Sequence, residues 1–144
     1  MVSYADTGFI ISLYLEESTR AVALEAIGKL QQILPITPLH ELEFRNALNL
    51  RLWRKEITVA ERDTVARKFE IDIADELYER VEVPAPELWH TAMRLSNRHT
   101  PSAGTRALDL LHVAAALTLQ AGELLTFDER QRRMALAAGL AVRP

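Results

Sequence analysis

Short apolar runs alternate along the chain with longer stretches whose apolar residues recur at helical spacing. Val2 to Ala5 is a strand-like run ending at Asp6, and Thr7 to Leu15 then reads as a helix. Ser18 is the expected cap of a second helix through Leu34, with Leu24, Ile27, Leu30 and Leu34 on one face, and Leu34 to Ile36 forms a brief strand. Thr37-Pro38 pairs a capping residue with proline at the first helical position; the helix it opens should reach Arg54 with Leu39, Leu42, Ala47, Leu50 and Trp53 inward. Thr58 and Glu61 match a capping box that starts a helix to about Leu77. Tyr78 to Val83 alternates as a strand does until Pro84, and Pro86 starts a helix reaching Asn97. His99 to Thr105, with Pro101 and Gly104, is expected to be a loop. Ala107 to Ala121 is a strongly apolar helix closed by Gly122. Leu124 to Phe127 is a buried strand, Asp128 caps a helix to Ala138 that Gly139 ends, and Leu140 to Val142 is the last strand.

Strands this short and apolar, separated by helices, imply an α/β chain whose parallel sheet is covered on both faces. Sites on such sheets lie beyond the carboxyl ends of the strands. Asp6 and Asp128 both occupy such ends. No repeat, low-complexity tract or linker interrupts the chain, so residues 1–144 are expected to form one domain.

Composition narrows the chemistry. Apolar residues make up 49% and charged residues 26%, the balance of a globular protein. With no cysteine, thiol nucleophiles, disulfides, Cys-ligated zinc and iron–sulfur clusters are excluded. No apolar run reaches the roughly 18 residues of a membrane span, and the N-terminal apolar stretch lacks a basic region ahead of it, so a soluble, cytoplasmic protein is expected. The net charge of −3 puts any nucleic-acid contact on a local basic surface instead of bulk attraction. Arg51, Arg54 and Lys55 form one helix-end cluster, and Arg130, Arg132 and Arg133 another. There is no HExxH, GxGxxG, Walker loop or GxSxG, and His40, His90, His99 and His112 have no zinc spacing.

The carboxylates are what remain. Asp6 and Asp128 each read equally well as helix N-caps, a role compatible with ligation because both present an oxygen at a strand–helix junction. Glu43 and Glu41 compete within one helical turn, and periodicity does not separate them. Asp109 stands near the start of a helix apolar on nearly every side, and a buried carboxylate needs a partner, a cation or a proton. His112 follows on the same helical face, where a hydrogen-bonded structural histidine is the commoner reading.

The order Asp6-Thr7, Glu43 with Asn46-Ala47-Leu48, Arg106-Ala-Leu-Asp109-Leu-Leu-His112, and Leu-Leu-Thr126-Phe-Asp128 resembles the PIN domains of bacterial VapC-type toxins, the nuclease half of type II toxin–antitoxin pairs. The resemblance covers essentially the whole chain. Where that family usually has Asp-Thr-Ser, this chain has Asp6-Thr7-Gly8, which removes a hydroxyl but no carboxylate. The Glu-x-x-Asn-Ala-Leu pattern selects Glu43 over Glu41. The resemblance implies a three-layer α/β/α sandwich around a parallel sheet of four or five strands. It further implies that Asp6, Glu43, Asp109 and Asp128 are catalytic and hold Mg²⁺ or Mn²⁺. Thr7, Thr126 and His112 would support them, with Arg106 contacting phosphate or a carboxylate. An RNA substrate, a cognate antitoxin and a homodimer go with that family.

The expected activity is therefore metal-dependent hydrolysis of RNA phosphodiester bonds. Hard oxygen ligands suit Mg²⁺, and a metal ion activates water for in-line attack. Two alternatives stand beside it. One is an RNA-processing nuclease of the same fold that is not a toxin. The other is a non-enzymatic receiver-like or interaction domain, although a receiver wants two adjacent acids early in the chain and here Asp6 stands alone.

Overall fold

A computed structural model describes residues 1–144. Its strands are β1 (Ser3–Ala5), β2 (Leu34–Ile36), β3 (Tyr78–Arg80), β4 (Glu123–Leu125) and β5 (Ala141–Arg143). Between and around them run α1 (Thr7–Ser12), α2 (Arg20–Gly28), α3 (Pro38–Trp53), α4 (Val59–Ala74), α5 (Ala85–Ala103), α6 (Ala107–Thr118) and α7 (Glu129–Ala137). Every strand pair is parallel: β1 with β4 (Ser3–Glu123, Tyr4–Leu124, Ala5–Leu125), β4 with β5, and β2 with β3. Because β2 also lies beside β1, the five strands follow the order β3-β2-β1-β4-β5, in two hydrogen-bonded ladders.

Each strand is only three residues long, so its alternation distributes single side chains to two cores. Tyr4 and Leu124 enter one with Leu95 of α5, Val113 of α6 and Met134 of α7. Ala5 and Leu125 enter the other with Phe9 of α1, Phe44 of α3 and Phe69 of α4. Helices thus cover both faces, the three-layer α/β/α arrangement expected from the run of elements. No helix is long and apolar enough to cross a membrane.

Several local expectations are corrected. The second helix starts after Thr19, not Ser18: the Ser12 hydroxyl engages Thr19 (3.0 Å) at the turn. That helix buries Ala23 and Ala26 and leaves Leu24 exposed. In α3 the buried side chains are His40, Phe44 and Leu48, whereas Leu42, Leu50 and Trp53 face outward. Apolar residues occur on both faces of this helix, and the stacking of Phe44 on Phe69, 4.0 Å between centroids, decides which one turns in.

The expected loop at 99–105 is largely helix. Pro101 sits in the last turns of α5, where it withholds one backbone donor, and Gly104 closes the helix in the left-handed region (φ 66), donating to Thr100 O. Packing of α5 along α6 and α7 outweighs the proline. The sixth helix ends at Thr118, with Gln120 and not Gly122 in left-handed geometry (φ 59). Gly122 serves a close approach instead: its N–H donates to Val2 O (2.9 Å), and a Cβ there would lie 2.3 Å from the Met1 side chain.

Candidate functional site

The carboxyl ends of β1 and β4 lie side by side in register, so the residues that follow them are neighbours: Asp6 after Ala5, and Thr126 to Asp128 after Leu125. The Asp6 N–H continues the ladder by donating to Leu125 O (3.1 Å). Two helix N-termini emerge here. Asp6 caps α1 through a hydrogen bond from the Phe9 N–H to Oδ1 (2.7 Å), and Asp128 caps α7 through one from the Gln131 N–H to Oδ1 (2.8 Å).

Asp6 is almost fully buried, and its second oxygen accepts the Thr126 hydroxyl. Thr126 in turn accepts from the Asp128 N–H (3.0 Å), so one hydroxyl ties the two capping acids together. Burial pushes the Asp6 carboxyl up to about 6, against the lowering effect of Thr126 and with a further push from Asp109. Asp109 lies in the first turn of α6, half-exposed, and is also raised, first by burial and then by Asp128. Asp109 is thus the carboxylate that repels the others: it acts on Asp6, and Asp128 and Glu43 act on it. Arg106, the residue before α6, approaches Asp109 at 3.5 Å while remaining mostly exposed.

Glu43 comes from the opposite flank, one turn into α3. Its Oε1 accepts the Thr7 hydroxyl (2.9 Å) and a short hydrogen bond from His112 Nε2, whereas Oε2 has no protein partner. Burial raises Glu43, but these two donors outweigh it and hold the carboxyl below its usual range. Glu41 points elsewhere, into an ion pair with Arg80 (2.9 Å), so the geometry separates the two glutamates that periodicity left open. His112 is buried and spans the gap to β1, its Nδ1 2.9 Å from the Tyr4 hydroxyl.

His40 fixes α3 against β1. Its Nδ1 accepts from the Thr37 N–H (3.0 Å), which leaves Nε2 as the protonated nitrogen donating to Ala5 O (2.7 Å). Burial, reinforced by His112, lowers His40 to about 3, so the ring is neutral. The same contact completes a capping box at Thr37 with a histidine in the place of the usual glutamate.

The structure brings Asp6, Thr7, Glu43, Arg106, Asp109, His112, Thr126 and Asp128 to one edge of the sheet. No three of the acids and histidines converge closely enough to enclose a cation unaided. The donor set still fits one. It consists of hard carboxylate oxygens, Asp109 pushing Asp6 upward and itself pushed upward by Asp128 and Glu43, and Mg²⁺ is commonly held by one or two carboxylates while keeping several waters. A Cβ at Gly8 would lie 3.6 Å from Asp6 Oδ1, ordinary contact, so the space for the absent serine is open beside this acid.

Three contributors were not singled out from the sequence: Tyr4, His40 and Gln131. Gln131 is buried, and its amide donates to Asp109 O (2.9 Å) while its carbonyl lies 3.4 Å from the Thr126 hydroxyl, joining α7 to α6 beneath the acids. The only sequence signal for it was its place three residues after the Asp128 cap. Of the basic clusters, Arg51 is engaged by Glu17 and Glu56, and Arg132 by Glu129. Arg130 is exposed two residues after Asp128.

Comparison with known proteins extends this picture. No curated protein matches the sequence. Among solved structures, FitAcB from Neisseria gonorrhoeae superposes with a TM-score of 0.75 at 14% identity, covering 99% of this chain and 97% of that one. VapC20 from Mycobacterium tuberculosis, described as a sarcin–ricin loop cleaving toxin, gives 0.71 at 17% identity with 99% of both chains covered. VapBC2 from Rickettsia felis, bound to a DNA fragment from its promoter, gives 0.70 at 15%, covering 99% and 98%. At these identities the likeness is one of fold. A family model described as PIN domain matches residues 3–136, a span that carries every one of the acids gathered at the sheet edge, and on that match the chain belongs to the PIN-domain family.

Proposed function

We propose that this chain is a Mg²⁺- or Mn²⁺-dependent endoribonuclease, the toxin of a VapBC-type toxin–antitoxin pair. The observation that carries the reading is the convergence of acids from four separate segments, Asp6, Glu43, Asp109 and Asp128, on the carboxyl edge of the parallel sheet, with Asp6 raised to about 6. A nearly fully buried carboxylate, Asp6, with Asp109 adding to its upward shift, is unfavourable for folding alone and is characteristic of a site that binds a counter-charge.

A bound divalent cation would supply neutralisation of the scissile phosphate and acidification of the attacking water. Asp6, Asp109 and Asp128 offer oxygens from one side, and Glu43 offers Oε2 from the other. Thr126 holds Asp6 in place, and Thr7 and His112 hold Glu43. Arg106, exposed beside Asp109, would be the basic side chain that meets an RNA phosphate in a chain whose net charge is −3. The fold neighbours include a toxin–antitoxin complex, which supports an antitoxin protein as partner; the homodimer of this reading rests on the family resemblance alone.

The test is incubation of total cellular RNA with purified protein in MgCl₂ or MnCl₂, beside EDTA and Asp109→Asn controls. The expected result is discrete fragments that vanish in both controls, together with growth arrest on expression that co-expression of the neighbouring small gene relieves. Cleavage without growth arrest would favour a processing nuclease. Intact RNA with folded, partner-free protein at every metal concentration would refute the nuclease reading.

A further inference from the structure

The mechanism above leaves Tyr4 unused, although its hydroxyl is the one polar group of β1 directed toward the chain of contacts that ends at Glu43. Tyr4 is wholly buried among α5, α6 and α7 side chains, an environment in which a phenol requires a hydrogen-bond partner. That partner is His112 Nδ1 at 2.9 Å. On the opposite side of the same imidazole, Nε2 meets Glu43 Oε1, with the Thr7 hydroxyl 3.1 Å away. A carboxylate only accepts, so Nε2 carries the proton, and a phenol that donates to Nδ1 keeps it there.

We propose that Tyr4 is a positioning residue for the proposed metal site: by donating to His112 Nδ1 it holds the imidazole in the Nε2–H tautomer and in the orientation that occupies Glu43 Oε1, leaving Oε2 as the oxygen presented to the cation. This rests on the nuclease reading and adds to it a residue three steps from the metal. The physical precedent is general. Groups that orient a carboxylate ligand from behind typically change metal affinity by about 10- to 100-fold when removed. A tyrosine at this position also explains why a three-residue strand gives its central side chain to a polar contact. Tyr4 packs its ring against both histidines, 5.0 Å from His40 and 5.8 Å from His112 between centroids, while its hydroxyl reaches past the rings.

The experiment uses Tyr4→Phe, which removes one oxygen and leaves the ring packing in place, alongside His112→Leu and the double variant, all as full chains. Mn²⁺ alone is titrated calorimetrically, and the His112 tautomer is read from the ¹⁵N NMR shifts of its ring nitrogens. Wild type is expected to show a protonated Nε2 and an unprotonated Nδ1. Tyr4→Phe should keep its fold by circular dichroism, bind Mn²⁺ about tenfold more weakly, and show altered His112 ring shifts. In the His112→Leu background the same change should have no further effect, because Tyr4 acts through His112.

Wild-type Mn²⁺ affinity in Tyr4→Phe would overturn the assignment, as would an equal loss with and without His112. The NMR readout decides it even if His112→Leu does not fold: unchanged His112 shifts in Tyr4→Phe would also overturn it. A wild-type protein that binds no Mn²⁺ would overturn the metal-nuclease reading and this proposal with it. That outcome is distinct from a wild type that binds beside a Tyr4→Phe that binds equally, which removes Tyr4 alone.

Discussion

The two oxygens of Asp6 do different work. Oδ1 caps α1, a contact any aspartate or asparagine makes; Oδ2 accepts from Thr126 in a dry pocket where a charge is unwelcome. Because the folded carboxyl sits near 6 and an unfolded one near 3.8, the protonated acid is the form that folding favours. Its contribution to stability is fully present below pH 3.8 and is lost as the pH rises through about 6, amounting to about 3 kcal/mol for a shift of about two units. Asp6→Asn keeps the cap and removes the charge. In metal-free buffer it should therefore melt higher than wild type at pH 7, with the gap narrowing at pH 4, while its RNA cleavage is lost. Melting curves at both pH values check this, and a gap of the same size at each would contradict it. Sequence reasoning reached Asp6 through its place after a strand, but not this conflict, since burial depends on which helices close over it.

At the scale of elements, the β4–α7 junction is tied together by the hydroxyl of one residue. The Thr126 hydroxyl donates to Asp6 and accepts from the Asp128 N–H, joining the ends of two strands and the starts of two helices. Thr126→Val preserves shape but strands two buried polar groups, a loss of about 2 kcal/mol. It also removes a hydrogen bond that lowers the Asp6 carboxyl, so the acid limb of the cleavage–pH profile should move upward. Urea unfolding and initial rates between pH 5 and 8 measure the two effects separately; an unmoved acid limb would mean Thr126 serves stability alone. Caps were the best-read feature of the sequence. Thr37, Thr58 and Asp128 stand where their local patterns put them, because a cap is decided by residues within one turn. Helix faces were read less well. Leu42, Leu50 and Trp53 were expected inward on α3, but the choice belongs to Phe69 on α4, a residue whose contact with Phe44 no local pattern announces.

Across the whole molecule, the candidate site exists because a parallel sheet sends the ends of its central strands to one edge and the N-terminal halves of α3, α6 and α7 reach it. Residues 6, 43, 109 and 128 come from separate segments, so a cation held by carboxylates from more than one of them would act on the native state and not on the unfolded chain. Mn²⁺ should therefore raise the melting temperature of wild type, by an amount corresponding to about 3 kcal/mol at a hundredfold excess over the dissociation constant. Asp109→Asn, which removes the acid that the other three surround, should show little of this rise. An equal rise in the variant would point to binding elsewhere on the acidic surface.

The sequence by itself determined the alternation of strands and helices, the parallel sheet covered on both faces, the acids at strand ends, and, through the family pattern, the choice of Glu43 over Glu41. Periodicity and capping chemistry are settled within a few residues, and motif order is read along the chain without knowing which side chains meet. Only the tertiary structure decided that Pro101 would sit inside a helix, that Gly122 makes room for Met1 instead of ending α6, and that Tyr4, His40 and Gln131 join the site. Each of those outcomes depends on a partner distant in sequence, and the energy of such a contact enters only once the chain has brought the two together.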